Sequence, residues 1–175
     1  MFTIRRYSHD FKKRGENVKW QRRKRAKTVN NLLICDNSYN ILAVSDCIDG
    51  NHHDNFEIVE NVKIMLQSLD KQLIDYKYSH LNADSGFDVK AFIEFIESHK
   101  IIANIEQNKR NSKKKMPEYR YMGDSIYAFR FKIEVVFAWL DTYKRILVRF
   151  ELLSKNFKSW MLMASSLINF RHIFN

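Results

Sequence analysis

The stretch Tyr76 to Ile105, YKYSHLNADSGFDVKAFIEFIESHKIIANI, decides the fold class. Tyr76 to Ala83 reads as a strand that stops at Asp84, before Ser85-Gly86. Asp88 then opens a helix to about His99, with Phe92, Phe95 and Ile96 on one face, and Ile101 to Ile105 reads as a second strand. A strand, a helix and a strand in immediate succession imply an α/β sheet with helices packed on it.

The flanks extend this pattern. Upstream, Val29 to Asp36 (VNNLLICD) and Ile41 to Asp46 (ILAVSD) are short apolar runs joined by Asn37-Ser38-Tyr39-Asn40, a hairpin whose turn Asn and Ser supply. Gly50-Asn51 breaks the chain, and Asp54 is placed to N-cap a helix over about Asn55 to Leu69, with Phe56, Val59, Val62 and Leu66 at helical spacing. Downstream, a polar, basic loop carrying Pro117 leads to two long closing helices, about Ser125 to Phe150 and about Phe157 to His172. The sequence shows no internal repeat.

The chain has 175 residues, 45% apolar and 14% aromatic, which suits one domain with a real core and excludes extended disorder. Two cysteines, Cys35 and Cys47, exclude a disulfide scaffold and fit a reducing compartment. The longest oily run, around Trp160 to Phe170, lies between Lys158 and Arg171 and falls short of a membrane span. With no N-terminal charged-then-apolar signal, the expectation is a soluble, cytoplasmic protein with no membrane partner.

The formal charge is +10, and residues 1–28 carry eleven Lys or Arg against Asp10 and Glu16, a local balance of +9. The bases are Arg5, Arg6, Lys12, Lys13, Arg14, Lys19, Arg22, Arg23, Lys24, Arg25 and Lys27. A second run, Lys109-Arg110-Asn111-Ser112-Lys113-Lys114-Lys115, lies mid-chain. Two basic clusters flanking a globular body point to a polyanion partner, although a solvated tail and a solvated loop would read alike.

Two carboxylates stand out chemically. Asp84 ends a strand, and the carboxyl edge of strands in an α/β sheet is where ligand chemistry collects. Glu134 sits inside IYAFRFKIEVVFAWL (Ile126 to Leu140), where burial makes a lone charge costly. Arg130 at i−4 and Tyr127 at i−7 share its helix face, so a structural Arg130–Glu134 pair is one reading. A divalent metal held by oxygen from Asp84 and Glu134 is the other. His52-His53-Asp54 suggests zinc, but the Asp54 helix cap explains it without a metal, and no cysteine pair stands at metal spacing. Four scattered glycines make no phosphate-cradling loop.

In order along the chain, RRKRAKTVNNLLICDNSYNILAVSD, GNHHD (Gly50 to Asp54), LNADSGFD (Leu81 to Asp88), Tyr127-x2-Arg130-x3-Glu134, and the closing FAWLDTYKRILVRFE and MASSLINFR resemble the DDE transposases of bacterial insertion sequences, the IS-four/IS-five-like group. The resemblance implies an RNase H-like mixed sheet flanked by helices. It implies catalytic roles for Asp84 and Glu134 as ligands of Mg2+ or Mn2+, with Arg130 and Tyr127 orienting Glu134 or touching the DNA backbone. The basic segment and Lys113, Lys114 and Lys115 would then contact phosphates of insertion-sequence ends and target DNA, in a homodimer or alone.

Two departures qualify it. The signature's final basic residue falls at Asp141, and the first catalytic Asp falls by spacing at about Arg5-Arg6, where no acid stands. Thr3 to Tyr7 can be encoded ACT ATT AGA CGG TAT, which one base later reads Leu-Leu-Asp-Gly, so a truncated or frameshifted copy is expected, with an incomplete first strand. On that expectation residues 1–28 are a basic remnant of the first-strand region and residues 29–175 are the C-terminal part of the catalytic domain. The function expected is transposition impaired by the missing Asp, and the alternative is a non-catalytic DNA-binding remnant that interferes with intact transposase.

Overall fold

A computed structural model of the chain describes residues 1–11, 15–108 and 122–174. Lys12, Lys13, Arg14, Lys113, Lys114 and Lys115 lie outside these described residues.

The strands are β1 (Phe2–Phe11), β2 (Lys19–Gln21), β3 (Ala26–Asp36), β4 (Ile41–Val44), β5 (Ile48–Asp49), β6 (His80–Ala83), β7 (Ile102–Ile105) and β8 (Val148–Arg149). The helices are α1 (Ile58–Lys71), α2 (Lys90–Ser98), α3 (Asp124–Tyr127), α4 (Lys132–Asp141), α5 (Lys144–Leu147) and α6 (Ser154–Phe174). The main path of the sheet runs β2-β3-β1-β6-β7, with β4 and β5 pairing β3 and β8 pairing β1. The β1–β3 and β3–β4 pairs are antiparallel, and β1–β6 and β6–β7 are parallel. This mixed sheet flanked by helices is an RNase H-like α/β fold.

Alternation along β1 and β3 sends Phe2, Ile4, Leu32 and Ile34 to one face, where they meet Val62, Met65 and Leu69 of α1 and Phe92 and Ile96 of α2. Tyr7, Leu33 and Cys35 go to the other face, against Ile133, Val136 and Leu140 of α4 and Phe157 and Met161 of α6. Each fully buried Phe, Leu or Ile contributes about 1.5–3 kcal/mol of transfer free energy, so both layers hold the sheet.

Residues 2–11, expected as a strand remnant, form ten residues of strand hydrogen-bonded antiparallel to β3 over Phe2↔Asp36 to Asp10↔Thr28. The parallel edge of β1 is less complete: it pairs β6 only at Phe2↔Leu81 and Thr3↔Asn82, and β8 only at Asp10 and Phe11. Between these two short partners that edge of β1 faces neither strand.

Several element boundaries differ from the sequence expectation. Asp54 does not cap α1; the helix begins at Ile58 after Glu57 in the left-handed region (φ 46°), because Asp54 is drawn to Arg6 (Nε–Oδ1 3.0 Å). The strand expected from Tyr76 starts at His80, since Tyr78 has φ 58° and its N–H donates to the Lys100 carbonyl. The helix expected over Ser125 to Phe150 is divided into α3, a 3-10 turn (Ala128–Phe131), α4 and α5, and it ends in β8. Tyr143 is extended (ψ 102°), and Val148 and Arg149 take up strand pairing with Asp10 and Phe11 in preference to another helical turn. The second closing helix is α6, 21 residues long.

Gly50 lies where β3 leaves no room: a Cβ there would stand 2.1 Å from the Thr28 carbonyl oxygen. The GNHHD turn is thereby seated against β3. No helix among the described residues is long and apolar enough to cross a membrane.

His9 of β1 is fully buried against Tyr7 and Phe157, and its Nδ1 donates to the Ile146 carbonyl at 2.8 Å. Burial lowers it from 6.5 to about 3, so the folded protein refuses a proton that the unfolded chain accepts. This contribution to stability is complete above pH 6.5 and is lost as pH falls toward 3. Urea unfolding within that window should show His9 contributing a slope of about 1.4 kcal/mol per pH unit, and His9→Asn, which keeps a donor, should remove it.

Candidate functional site

The site grows from one register. Because β1 and β6 run parallel with Phe2 opposite Leu81 and Thr3 opposite Asn82, continuing the offset of 79 sets Arg5 beside Asp84, the first residue past the end of β6. Asp84 is the extended residue before the 3-10 turn Ser85–Phe87. Arg5 Nε lies 3.4 Å from Asp84 Oδ2, and Arg5 Nη1 forms an ion pair with Glu134 Oε1. Arg130 Nη1 donates to Asp84 Oδ1 at 2.6 Å. Two carboxylates and two guanidiniums thus make one network, with side chains between 21% and 46% exposed.

The expected Arg130–Glu134 pair is therefore replaced by two longer-range ones, Arg130–Asp84 and Arg5–Glu134. The 3-10 turn after α3 re-aims Arg130 away from the i+4 direction that a continuous helix would impose. Its guanidinium lies 4.7 Å from the centre of the Tyr127 ring and 4.3 Å from that of Phe131. Tyr127 donates its hydroxyl to Glu106 Oε2 at 3.0 Å, and burial together with this bond holds the phenol above its usual range. Tyr127 thus covers Arg130 and is itself tied to Glu106.

Buried amides position the segment that carries these residues. Asn82 and Asn104 are both fully buried in adjacent strands, and Asn104 Nδ2 donates to Asn82 Oδ1 at 2.7 Å. Asn82 Nδ2 donates to the Ile126 carbonyl, and Gly123 N donates to Asn104 Oδ1, both at 2.9 Å. Amides left unpaired at this depth would be costly, so the pair fixes where α3 docks.

On the other face of β1, Arg6 is clamped to the turn 52–54. Its guanidinium donates to the His52 carbonyl at 2.5 Å and to the His53 carbonyl, and it pairs with Asp54. Burial pulls Arg6 below its ordinary value, with Asp54 opposing and Arg23 adding to the effect. Gly86 is small because Asp54 stands over it; a Cβ would meet Asp54 Oδ2 at 2.9 Å. The GNHHD and ADSG turns therefore form one wall.

That wall borders an open cleft of about 980 Å³ lined by Arg5, Arg6, Trp20, Arg22, Arg23 and Asp84, among others. Trp20 is 56% exposed on the β2–β3 hairpin. A smaller groove of about 330 Å³ follows the open edge of β1 and is lined by Glu134, Lys24 and Asp141. Of the expected basic residues that are described, Arg22 and Arg23 line the cleft and Lys24 the groove, whereas Lys19, Arg25 and Lys27 line neither.

The family described as Transposase DDE domain matches residues 2–169. The chain belongs to the DDE transposase family. Neither the curated proteins nor the solved structures yield a match to it. Membership carries transposase function, a DNA substrate and dependence on a divalent metal at the level of the family.

Two acids alone do not make such a metal site here. Both oxygens of Asp84 and one of Glu134 face guanidinium groups, and among the described residues no group of three or more His, Cys, Asp or Glu could hold a metal ion. The network's formal charge is zero, two acids against two arginines, where a hard divalent cation requires several anionic oxygens. The residues present do not fit the ion in this arrangement. At the position of the signature's final base, Asp141 accepts a hydrogen bond from Tyr7, which with burial raises that phenol.

Sequence reasoning missed the roles of Arg5, Arg6, Asn82 and Asn104. The amides did leave a signal: Asn interrupts otherwise apolar strand runs in LNA and IANI. Asp84→Asn strips the partner from two guanidiniums and should lower stability by about 1.5–3 kcal/mol in urea titration. Glu134→Gln removes one partner at a more exposed site and should cost under about 1 kcal/mol.

Proposed function

We propose that this transposase-family chain grips the phosphate backbone of DNA along the cleft that leads from the Trp20–Arg23 hairpin past Arg6 to Asp84, and that DNA cleavage at the Asp84–Glu134 pair is impaired. The observation that carries the reading is the cleft itself, opening on Asp84 and lined by an exposed tryptophan and by Arg22 and Arg23, beside Arg5 and Arg6, which are already ion-paired. Guanidinium forks match phosphate oxygens in pairs, which favours arginine on such a wall. Trp20 offers a flat apolar face to a base or sugar. Backbone contacts of this kind hold and orient DNA without selecting sequence.

Asp84, Glu134, Arg130 and Tyr127 are the proposed reaction-centre residues by family position. The family's first acid is replaced in this cluster by Arg5, and that favours the second reading, a non-catalytic DNA binder that competes with intact transposase for element ends. Supercoiled DNA incubated with Mg2+ separates the two. Nicking abolished by Glu134→Gln supports catalysis at the pair, nicking that survives the exchange removes Glu134 from the mechanism, and binding without nicking supports the competitor.

DNA affinity should fall steeply between low and moderate salt. Arg22→Ala combined with Arg23→Ala should weaken binding on every sequence and reduce the slope of log K against log salt by about 2, measured by fluorescence anisotropy. An unchanged slope would remove the hairpin from the interface.

A further inference from the structure

We propose that the Arg5 guanidinium holds the place of the divalent cation in this chain. The native Asp84–Glu134 pair then takes up neither Mg2+ nor Mn2+, and exchanging Arg5 for a carboxylate opens the site to metal. The inference rests on reading this pair as the family's metal-binding carboxylates.

One planar cation joins two acids fifty positions apart in sequence: Arg5 Nε at 3.4 Å from Asp84 Oδ2, and Arg5 Nη1 on Glu134 Oε1. An arginine cannot give up its charge at accessible pH, so this occupant does not leave by deprotonation. It is also held in place. Its backbone is fixed by antiparallel pairing opposite Leu33 of β3, and Asp84, on which it leans, is held from the other side by Arg130 between two aromatic rings. A divalent ion entering here would have to break the ion pairs of Asp84 and Glu134 and then sit against two positive groups.

The same geometry says what would admit one. A carboxylate at position 5 would stand beside Asp84 by the β1–β6 register and on the β1 face that meets Glu134. Three acids would then come from three separate elements, β1, the end of β6 and α4, with Arg130 as the remaining cation. The formal charge changes from zero to −2, which matches a divalent ion.

Titration with Mn2+ alone, followed by calorimetry and by the electron paramagnetic resonance of free Mn2+, tests this on the full chain. The native protein should show no site saturating below about 1 mM, the weak end of protein-bound divalent ions. Arg5→Asp should bind at least about tenfold more tightly, and Glu134→Gln in that background should abolish the gain. Native binding that Asp84→Asn removes would overturn the proposal, as would a folded Arg5→Asp protein that binds no better than the native chain. Circular dichroism checks folding; if Arg5→Asp does not fold, Arg5→Ala serves, because it releases Glu134 and one oxygen of Asp84, leaves Arg130 on the other, and must raise Mn2+ affinity. Because Arg5 and Asp84 also line the cleft, DNA affinity is measured in EDTA on the native chain alone, so a failure of DNA binding is distinguishable from a failure of the arginine assignment.

Discussion

The site depends on the register between β1 and β6. Those strands share only two residue pairs, yet that short parallel contact decides which β1 residue meets the end of β6. It delivers Arg5 to Asp84 on one face and sends Arg6 to the turn 52–54 on the other. A shift of one residue would exchange the two faces, carrying Ile4 and Tyr7 out of their cores and breaking both arginine contacts together. The hydrophobic layers on the two sides of the sheet therefore specify the electrostatics at its edge.

Electrostatically, the edge is a balanced cluster next to an unbalanced surface. Asp84 and Glu134 are matched by Arg5 and Arg130, and Asp54 is matched by Arg6. Arg22 and Arg23 on the hairpin, together with Trp20, remain turned to the cleft. The positive field that would attract DNA thus comes from the hairpin, while the interior of the site is neutral. On the proposed reading, attraction of the polymer and charge at the reaction centre are carried by different residues.

The α/β class, the order of most elements and the strand-end location of Asp84 were all legible in the sequence, because period and turn chemistry encode them locally. The ten-residue length of the first strand was not, since FTIRRYSHDF mixes charge with apolar residues and its strand state comes from pairing with β3 along its length. The broken helix at 124–147 was missed for a related reason: IYAFRFKIEVVFAWL has helical periodicity throughout, and only docking onto the Asn82–Asn104 pair and onto Asp84 interrupts it. Within the site, the coming together of Asp84, Arg130 and Glu134 was anticipated, but their pairing was not. Spacing along a helix favours the i+4 partner, and the real partner of Glu134 lies on a strand 129 positions away.

The Arg6 clamp has a further consequence. It grips the turn 52–54 mainly through the carbonyl oxygens of His52 and His53, groups that every residue possesses. The clamp itself therefore does not use the two imidazoles, although the His52 ring stacks on Phe56 and stands near Asp49. Sequence drift at position 53, whose side chain also lines the cleft, can alter what the cleft prefers to touch while the clamp behind it stays the same. The wall is a chassis with interchangeable facing, and Arg6, Asp54 and Gly50 are the parts that cannot be exchanged.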